Sequence, residues 1–465
     1  MAIATIAQTR RPDRRTVVLA TMCLGVLVAQ IDTSVVNLAL KHIGADLAAD
    51  LSRLQWVVDA YNLTYASLLM TGGVLGDLYG RRRIFAFGIV LFTIGCIVCG
   101  LAPNAGTLIA GRAIAGVGAA LEVPATLAIL TVTYPDAEER ALPLGIWASC
   151  NGLAFIIGPT LGGLLVDHAG WRSIFLLIVP LCALALWLAW MQVPESSAPQ
   201  GRKLDLPGQA LAIAALGALA LTVIEGPNWG WTSPFVLAAA AICVASTLAF
   251  LRVESHTQGA LLPMGLFASR PLRASLAITA CMTFGMYAML FLTPLYLQSV
   301  RGNSAITAAL ELLPMSVTFV VVAQLSGYLA NRLGARAIIC AGMAAMGVGM
   351  VLMAIFVGGR LPAIEGALLV IGVGLGLNTA PVQNVAVASV PAERAGTASG
   401  LVNTARMIGA TLGVAVLGLM FAGHAPDSAP WLTGFRLAYA VGGAVELAGA
   451  ILALVFIAAR ATEKR

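Results

Sequence analysis

Residues 72–83 read GGVLGDLYGRRR, and residues 327–336 read GYLANRLGAR. Laid over one another, Gly73 and Gly327, Leu75 and Leu329, Asp77 and Asn331, and Gly80 and Gly334 each stand 254 residues apart. Each stretch closes one apolar run and opens the next, so each reads as a tight turn between two helices, with glycine as punctuation. Matching turns placed so far apart in one chain point to a duplicated unit. The decisive question is how many helices each copy holds.

Composition sets the surroundings of those helices. Of 465 residues, 59% are hydrophobic and only 10% charged, where a soluble domain carries about 25% charged residues. Mean hydropathy is +0.91. The apolar segments are continuous rather than alternating, which excludes an outer-membrane barrel and predicts spanning helices. Fourteen such runs can be drawn, from 16–40 to 433–459. The matched turns follow the second and tenth runs. The chain therefore divides into a six-helix bundle over 1–192, an inserted helix pair with its linkers over 193–270, and a second six-helix bundle over 271–465. Parallel repeats of this kind build transporters with the substrate site between the halves near mid-membrane.

The net charge of +6 reports orientation here, not nucleic-acid binding. With the N-terminus placed in the cytoplasm, six of the 27 basic residues fall outside: Lys41, Arg53, Arg172, Arg301, Arg360 and Arg436. Arg112 and Arg406 fall within the membrane. The rest are cytoplasmic, including Arg10 and Arg11, Arg81 to Arg83, Arg202 and Lys203, and the tail RATEKR. Both termini are thus expected inside, with the protein a multi-pass resident of a bacterial cytoplasmic (inner) membrane. The first apolar run is too long for a cleaved signal and reads as a retained helix. All eight cysteines sit in apolar runs and are read as packing residues, Cys96 and Cys99 included. No loop holds a soluble domain, and neither a GxxxxGK[ST] phosphate loop nor an HExxH metal pair occurs. An enzyme is not expected, nor any cofactor or metal; protons are the expected coupling ion.

Charges at lipid depth cost about 2.5–3.5 kcal/mol each on insertion scales and are functional candidates by default. Asp32 lies toward the outer third of the first run. Asp59 stands about 9 Å into the second and Arg112 about as deep into the fourth. At one level, Arg112 can pair with one carboxylate and leave the other to titrate. That arrangement reads either as a proton/cation exchange site or as an ion pair that merely locks helices. Glu311 is a further coupling candidate in the second half. Glu122 is a candidate for substrate contact, Glu446 has no obvious partner, and Arg406 is expected to pair or cap within the second half. Trp56, Tyr61, Tyr65, Trp147, Phe284 and Tyr287 offer aromatic faces for a lipophilic cation, with Met286 and Met289 as adaptable neighbours. The inserted pair carries only Glu225 and is expected at the periphery.

Several stretches together carry a family resemblance. The first turn resembles the loop signature of the major facilitator superfamily. AGRAIAGVGAALEVP (110–124) resembles its Arg-and-glycine signature, and GLAFIIGPTLGGLL (152–165) resembles its antiporter Gly-Pro signature. IDTSVVNLAL (31–40), LTPLYLQSVRGNSAITAALELLP (292–314) and GTASGLVNTARMIGATLG (396–413) are similar to the fourteen-span drug:proton antiporter branch. QWVVDAYNL (55–63) resembles QacA/SmvA-type exporters of quaternary ammonium compounds. The resemblance implies a monomeric all-α major facilitator fold with fourteen transmembrane helices. It also implies proton-coupled export of lipophilic, mainly cationic drugs by alternating access, with the lipid bilayer as surroundings and no nucleic-acid partner. A dedicated exporter of one metabolite or antibiotic would use the same scaffold; a polytopic enzyme or a channel is the remote reading. By resemblance, Gly73, Asp77, Gly80, Arg81 and Arg82 latch the cytoplasmic gate. Gly158, Pro159, Gly162 and Gly163 form a hinge and seal, where small residues also permit plain close packing. Asp77 is read as standing where the third helix begins.

Overall fold

The computed structural model describes residues 13–199, 204–256, 264–391, 394–421 and 429–457. Arg10, Arg11, Arg202, Lys203 and the tail 460–465 lie outside these residues. Fourteen long helices carry the chain. The first six are α1 (Arg14–Asp46), α2 (Leu51–Tyr79), α3 (Arg81–Gly100), α4 (Ala105–Thr133), α5 (Ala137–Ala169) and α6 (Arg172–Gln192), the last stepping at Leu177. Next come α7 (Leu206–Trp229) and α8 (Pro234–His256). The last six are α9 (Arg270–Ser299), α10 (Ala305–Leu333), α11 (Ala335–Phe356), α12 (Leu361–Ala388), α13 (Ala395–Gly418) and α14 (Ala429–Phe456).

Duplication shows in the helix ends themselves. Helices α2 and α10 are both 29 residues long, and both their ends are displaced by 254 residues. Asp50 and Ser304 cap their N-termini, accepting the backbone N–H of Arg53 and Thr307. Gly80 (φ +107°) and Gly334 (φ +90°) end them in the left-handed region, which glycine adopts without a Cβ clash. Packing repeats as well: α1 on α5, α2 on α4 and α3 on α4 are matched by α9 on α13, α10 on α12 and α11 on α12.

Thirteen of these helices are long and apolar enough to cross a membrane. The other, α2, is long enough but carries Gln55, Asp59, Tyr61 and Asn62, all buried within the protein. Its polarity is tolerable because that face meets other helices rather than lipid. Gly72 allows the closest approach to a neighbouring backbone in this half: a Cβ there would strike the Ala120 carbonyl of α4. Gly73, the residue singled out by its sequence position, is looser, with only the Pro124 Cβ at 3.8 Å.

The two halves meet along α5–α10, α2–α13 and α1–α9. At the end carrying Asp46 the joins are polar. The Asp167 carboxylate accepts the N–H groups of Ala305 (3.0 Å) and Ile306 (2.9 Å), so an acid of one half sits at a helix N-terminus of the other. Lys41 Nζ donates to the Gln298 carbonyl (2.6 Å), and Gln298 Nε2 to that of Leu38 (2.9 Å). Gln55 Nε2 donates to the Val414 carbonyl at 2.9 Å. Farther along the same seams the joins named by contact are apolar: Phe155 edge-on to Phe319 at 5.4 Å, and Met70 against a cluster holding Leu401.

The inserted pair departs in part from its expected place. Helix α8 is peripheral, with Leu237, Ile242, Val244 and Leu248 exposed. Helix α7, however, packs on both α2 and α13 and so covers a seam between the halves. Glu225 fixes one end, accepting from Trp56 Nε1 (2.8 Å) and the Ser52 hydroxyl (3.1 Å). Gln209 fixes the other, donating to the Ser67 carbonyl (2.6 Å) and bonding Thr71.

Candidate functional site

A cavity of about 790 Å³, including space open to solvent, lies between the halves. Its wall draws on α1, α2, α4 and α5 of the first half, and on α9, α10, α12 and α13 of the second. Those are the same four helices of each repeat. Aromatic and thioether faces come from Tyr61, Tyr65, Phe155, Tyr287, Phe319 and Met286, and hydrogen-bonding groups from Gln30, Thr33, Asn62, Thr379 and Asn403.

Behind the α1–α2 wall lies a buried charge cluster. Arg112 Nη1 meets Asp32 Oδ2 at 2.5 Å, and both side chains are essentially inaccessible. Arg112 Nε also donates to the Val57 carbonyl (3.0 Å), and its guanidinium lies 4.5 Å from the centre of the Tyr61 ring. Tyr61 stacks on Tyr65 with centroids 6.0 Å apart, and both rings face the cavity. A continuous contact path therefore runs from Asp32 through Arg112, Tyr61 and Tyr65 to the cavity. Asp59, two residues beyond Val57, is fully buried, and neither carboxyl oxygen makes a hydrogen bond. Of the three residues placed at one depth from sequence, Asp32 is the partner of Arg112, and Asp59 is a buried acid whose oxygens accept no hydrogen bond.

Other expected residues are placed differently. Glu122 is fully buried and unbonded between α4 and α3, close to Gly88; its neighbour Val123 lines the cavity instead. Trp56 tethers α7 through Glu225. Trp147 donates to the Thr126 hydroxyl (3.0 Å) and packs α5 on α4. Phe284 packs into the core, its backbone against Gly413. None of these four is on the cavity wall, because each side chain is engaged by or packed against another helix instead. Tyr61 and Tyr287 are on it. Glu311 is half-buried on α10 with Oε2 unbonded, off the wall. Arg406 reverses its expectation: it faces the cavity from α13, with no ion pair or hydrogen bond among the described residues, and its buried Nε is unsatisfied. Glu446 is fully buried and unbonded by any side chain, its carboxyl occupying the space left by Gly285.

The expected gating residues form two local structures. Asp77 lies in the last turn of α2, not at the start of α3, since the helix runs on to Tyr79 before Gly80 turns the chain. There it accepts from Arg81 at 2.9 Å. The opening of α3 then has three arginines where a helix dipole disfavours cations. Glu195, in the linker after α6, offsets them: its carboxylate accepts the Arg82 N–H (3.0 Å) and lies 3.7 Å from both the Arg82 and Arg83 side chains. Gly80 leaves the room for Glu195. Sequence reading missed Glu195, although an acid just beyond an apolar run and facing a basic turn was a usable signal. In α5, Gly158 and Gly162 pack on Ser34 and Val35 of α1, while Gly163 meets Ala305 and Ile306 across the halves. Pro159 sits inside an unbroken helix. Among the described residues no cluster of His, Cys, Asp and Glu is arranged to hold a metal, and all eight cysteines are unbridged.

A polytopic helical protein built of two repeated bundles around a central cavity is a transporter by architecture. The chain belongs to the Major Facilitator Superfamily, whose family profile matches residues 22–414. It is similar to the Multidrug resistance protein Stp of Mycobacterium tuberculosis, 40% identical over 404 residues that cover 86% of this chain and 74% of the relative. It is also similar to the Methylenomycin A resistance protein of Bacillus subtilis, 35% identical over 447 residues, 95% of this chain and 94% of that one. Among solved structures, a POT family transporter superposes with a TM-score of 0.70 at 15% identity, covering 94% and 95% of the two chains. A bacterial homolog of the lysosomal transporter Spinster gives 0.70 at 17%, covering 97% and 100%. The structural likenesses bear on the fold, which is that of the major facilitators.

Proposed function

We propose that this protein exports lipophilic drugs or antibiotics from the cytoplasm in exchange for protons. Relatives carrying multidrug and antibiotic resistance names support the export half of this reading. The observation that carries the proton half is the buried Asp32–Arg112 pair, joined to the cavity wall by Tyr61; the buried, unbonded Asp59 of α2 is a second candidate acid in the same half. Stripping an ionised carboxylate of water without a partner costs several kcal/mol. Proton exchange at Asp59 is therefore tied to whether water reaches it, and hence to helix movement. At Asp32, a proton would release Arg112, whose charge positions Tyr61. Cargo and proton are coupled through that ring rather than by competing for one carboxylate, because neither Asp32 nor Asp59 touches the cavity.

The bias of the basic residues supports a cytoplasmic position for both termini, and on this reading the Asp46 end is the outer face. Its polar joins are then the outer gate, and the turn held by Glu195 lies on the inner side. The inner-membrane location and the monomeric state belong to this same reading. A mainly cationic cargo, the remaining expectation from resemblance, finds no carboxylate on the cavity wall.

The test is drug-dependent proton flux in proteoliposomes holding an internal pH dye. Wild-type protein should move protons only when cargo is present. Asp32→Asn and Asp59→Asn should each abolish that flux while leaving a folded protein that still binds cargo. Undiminished coupled flux in both variants would remove the two acids from the mechanism, and no cargo movement at all would remove the export reading.

A further inference from the structure

Among the described residues, Arg406 is the one charged side chain on the cavity wall, and no ion pair neutralises it. Asp32, Asp59 and Glu122 all lie behind the wall, Asp32 already engaged by Arg112. Tyr65 and Tyr287 face the same space from opposite halves. A guanidinium offers five donors in a planar fork suited to carboxylate or sulfonate oxygens. The buried Nε of Arg406 has no acceptor, a cost that a ligand carrying acceptor oxygens would remove. For a cationic cargo it would be repulsive at every position in the cavity.

We propose that Arg406 is the specificity determinant of the cavity and that the cargo is a lipophilic aromatic molecule bearing one acidic group. The acid docks on Arg406, and the rings lie among Tyr65, Tyr287, Phe155 and Phe319. This deepens the export reading above and rests on the same cavity.

Three pyrene probes test it on purified full-length protein: pyrenesulfonate, pyrenemethanol and a pyrenylmethyl-trimethylammonium. They share one ring system and differ in charge. Binding is followed by pyrene fluorescence, and transport by the same probes in proteoliposomes under an imposed pH gradient. Wild-type protein should bind the sulfonate at least tenfold more tightly than the ammonium. Arg406→Gln should weaken sulfonate binding by about 10- to 100-fold while changing pyrenemethanol binding less than twofold. Arg406→Lys, which keeps the charge but loses the fork, should recover part of the loss. Tighter binding of the ammonium by wild type overturns the proposal, as does sulfonate binding within twofold of wild type in Arg406→Gln. The wild-type ranking decides the matter even if both variants fail to fold. Probes that bind in the expected order but never move with the gradient would refute export and leave the role of Arg406 standing.

Discussion

Separating the two members of the buried ion pair is the sharpest perturbation available. Asp32→Asn leaves the Arg112 guanidinium, 1% exposed, without its counter-ion. Removing one partner of such a pair costs about 3–5 kcal/mol. Arg112→Met costs the same range for the stranded carboxylate, plus about 1 kcal/mol for the Val57 carbonyl that loses its donor. The double variant strands neither charge. Replacing both members with neutral groups of similar bulk is close to neutral, leaving about 1–2 kcal/mol for the Val57 bond and the lost contact with the Tyr61 ring. The two single losses sum to roughly 7–11 kcal/mol, so the double variant should be several kcal/mol more stable than additivity allows. Reversible unfolding in mixed micelles measures all three. Single losses that add to within about 0.5 kcal/mol would mean that Asp32 and Arg112 are not paired in the resting protein, and the coupling path through Tyr61 would go with them.

Other consequences are open to direct measurement. Gly72→Ala should destabilise by about 1–3 kcal/mol, since its Cβ meets the Ala120 carbonyl, whereas Gly73→Ala should be neutral or slightly stabilising in the same melts. Asp167→Asn together with Lys41→Met should loosen the polar gate and raise the rate at which a membrane-impermeant maleimide reaches a cysteine placed at Leu38; an unchanged rate would show that these bonds do not hold the halves together. In inverted vesicles energised to an acidic interior, cargo should accumulate inside, and collapsing the pH gradient with nigericin should release it. Accumulation that survives nigericin would exclude proton exchange as the driving force.

The repeat of turns at Gly80 and Gly334, the count of fourteen spans and the meeting of Arg112 with one of two carboxylates at its depth were all legible in the sequence. Each follows from something one-dimensional: hydropathy along a run, the glycine demanded at a turn, and a fixed rise per residue that converts position into depth. What depth does not give is azimuth. A shift of one residue turns a helical side chain by about 100°, so Glu122 and Val123 share a level yet only Val123 reaches the cavity. For the same reason Trp56 and Trp147 became helix tethers, Phe284 a core residue and Arg406 a wall residue. Contacts between distant segments were equally invisible: Glu195 on the arginine turn, Asp167 on the start of α10, and α7 over the α2–α13 seam. Sequence by itself determined which helices form, how deep each charge lies and that the halves are copies. Tertiary structure alone decided which face of each helix looks inward, because that choice is made by the packing partner and not by the helix.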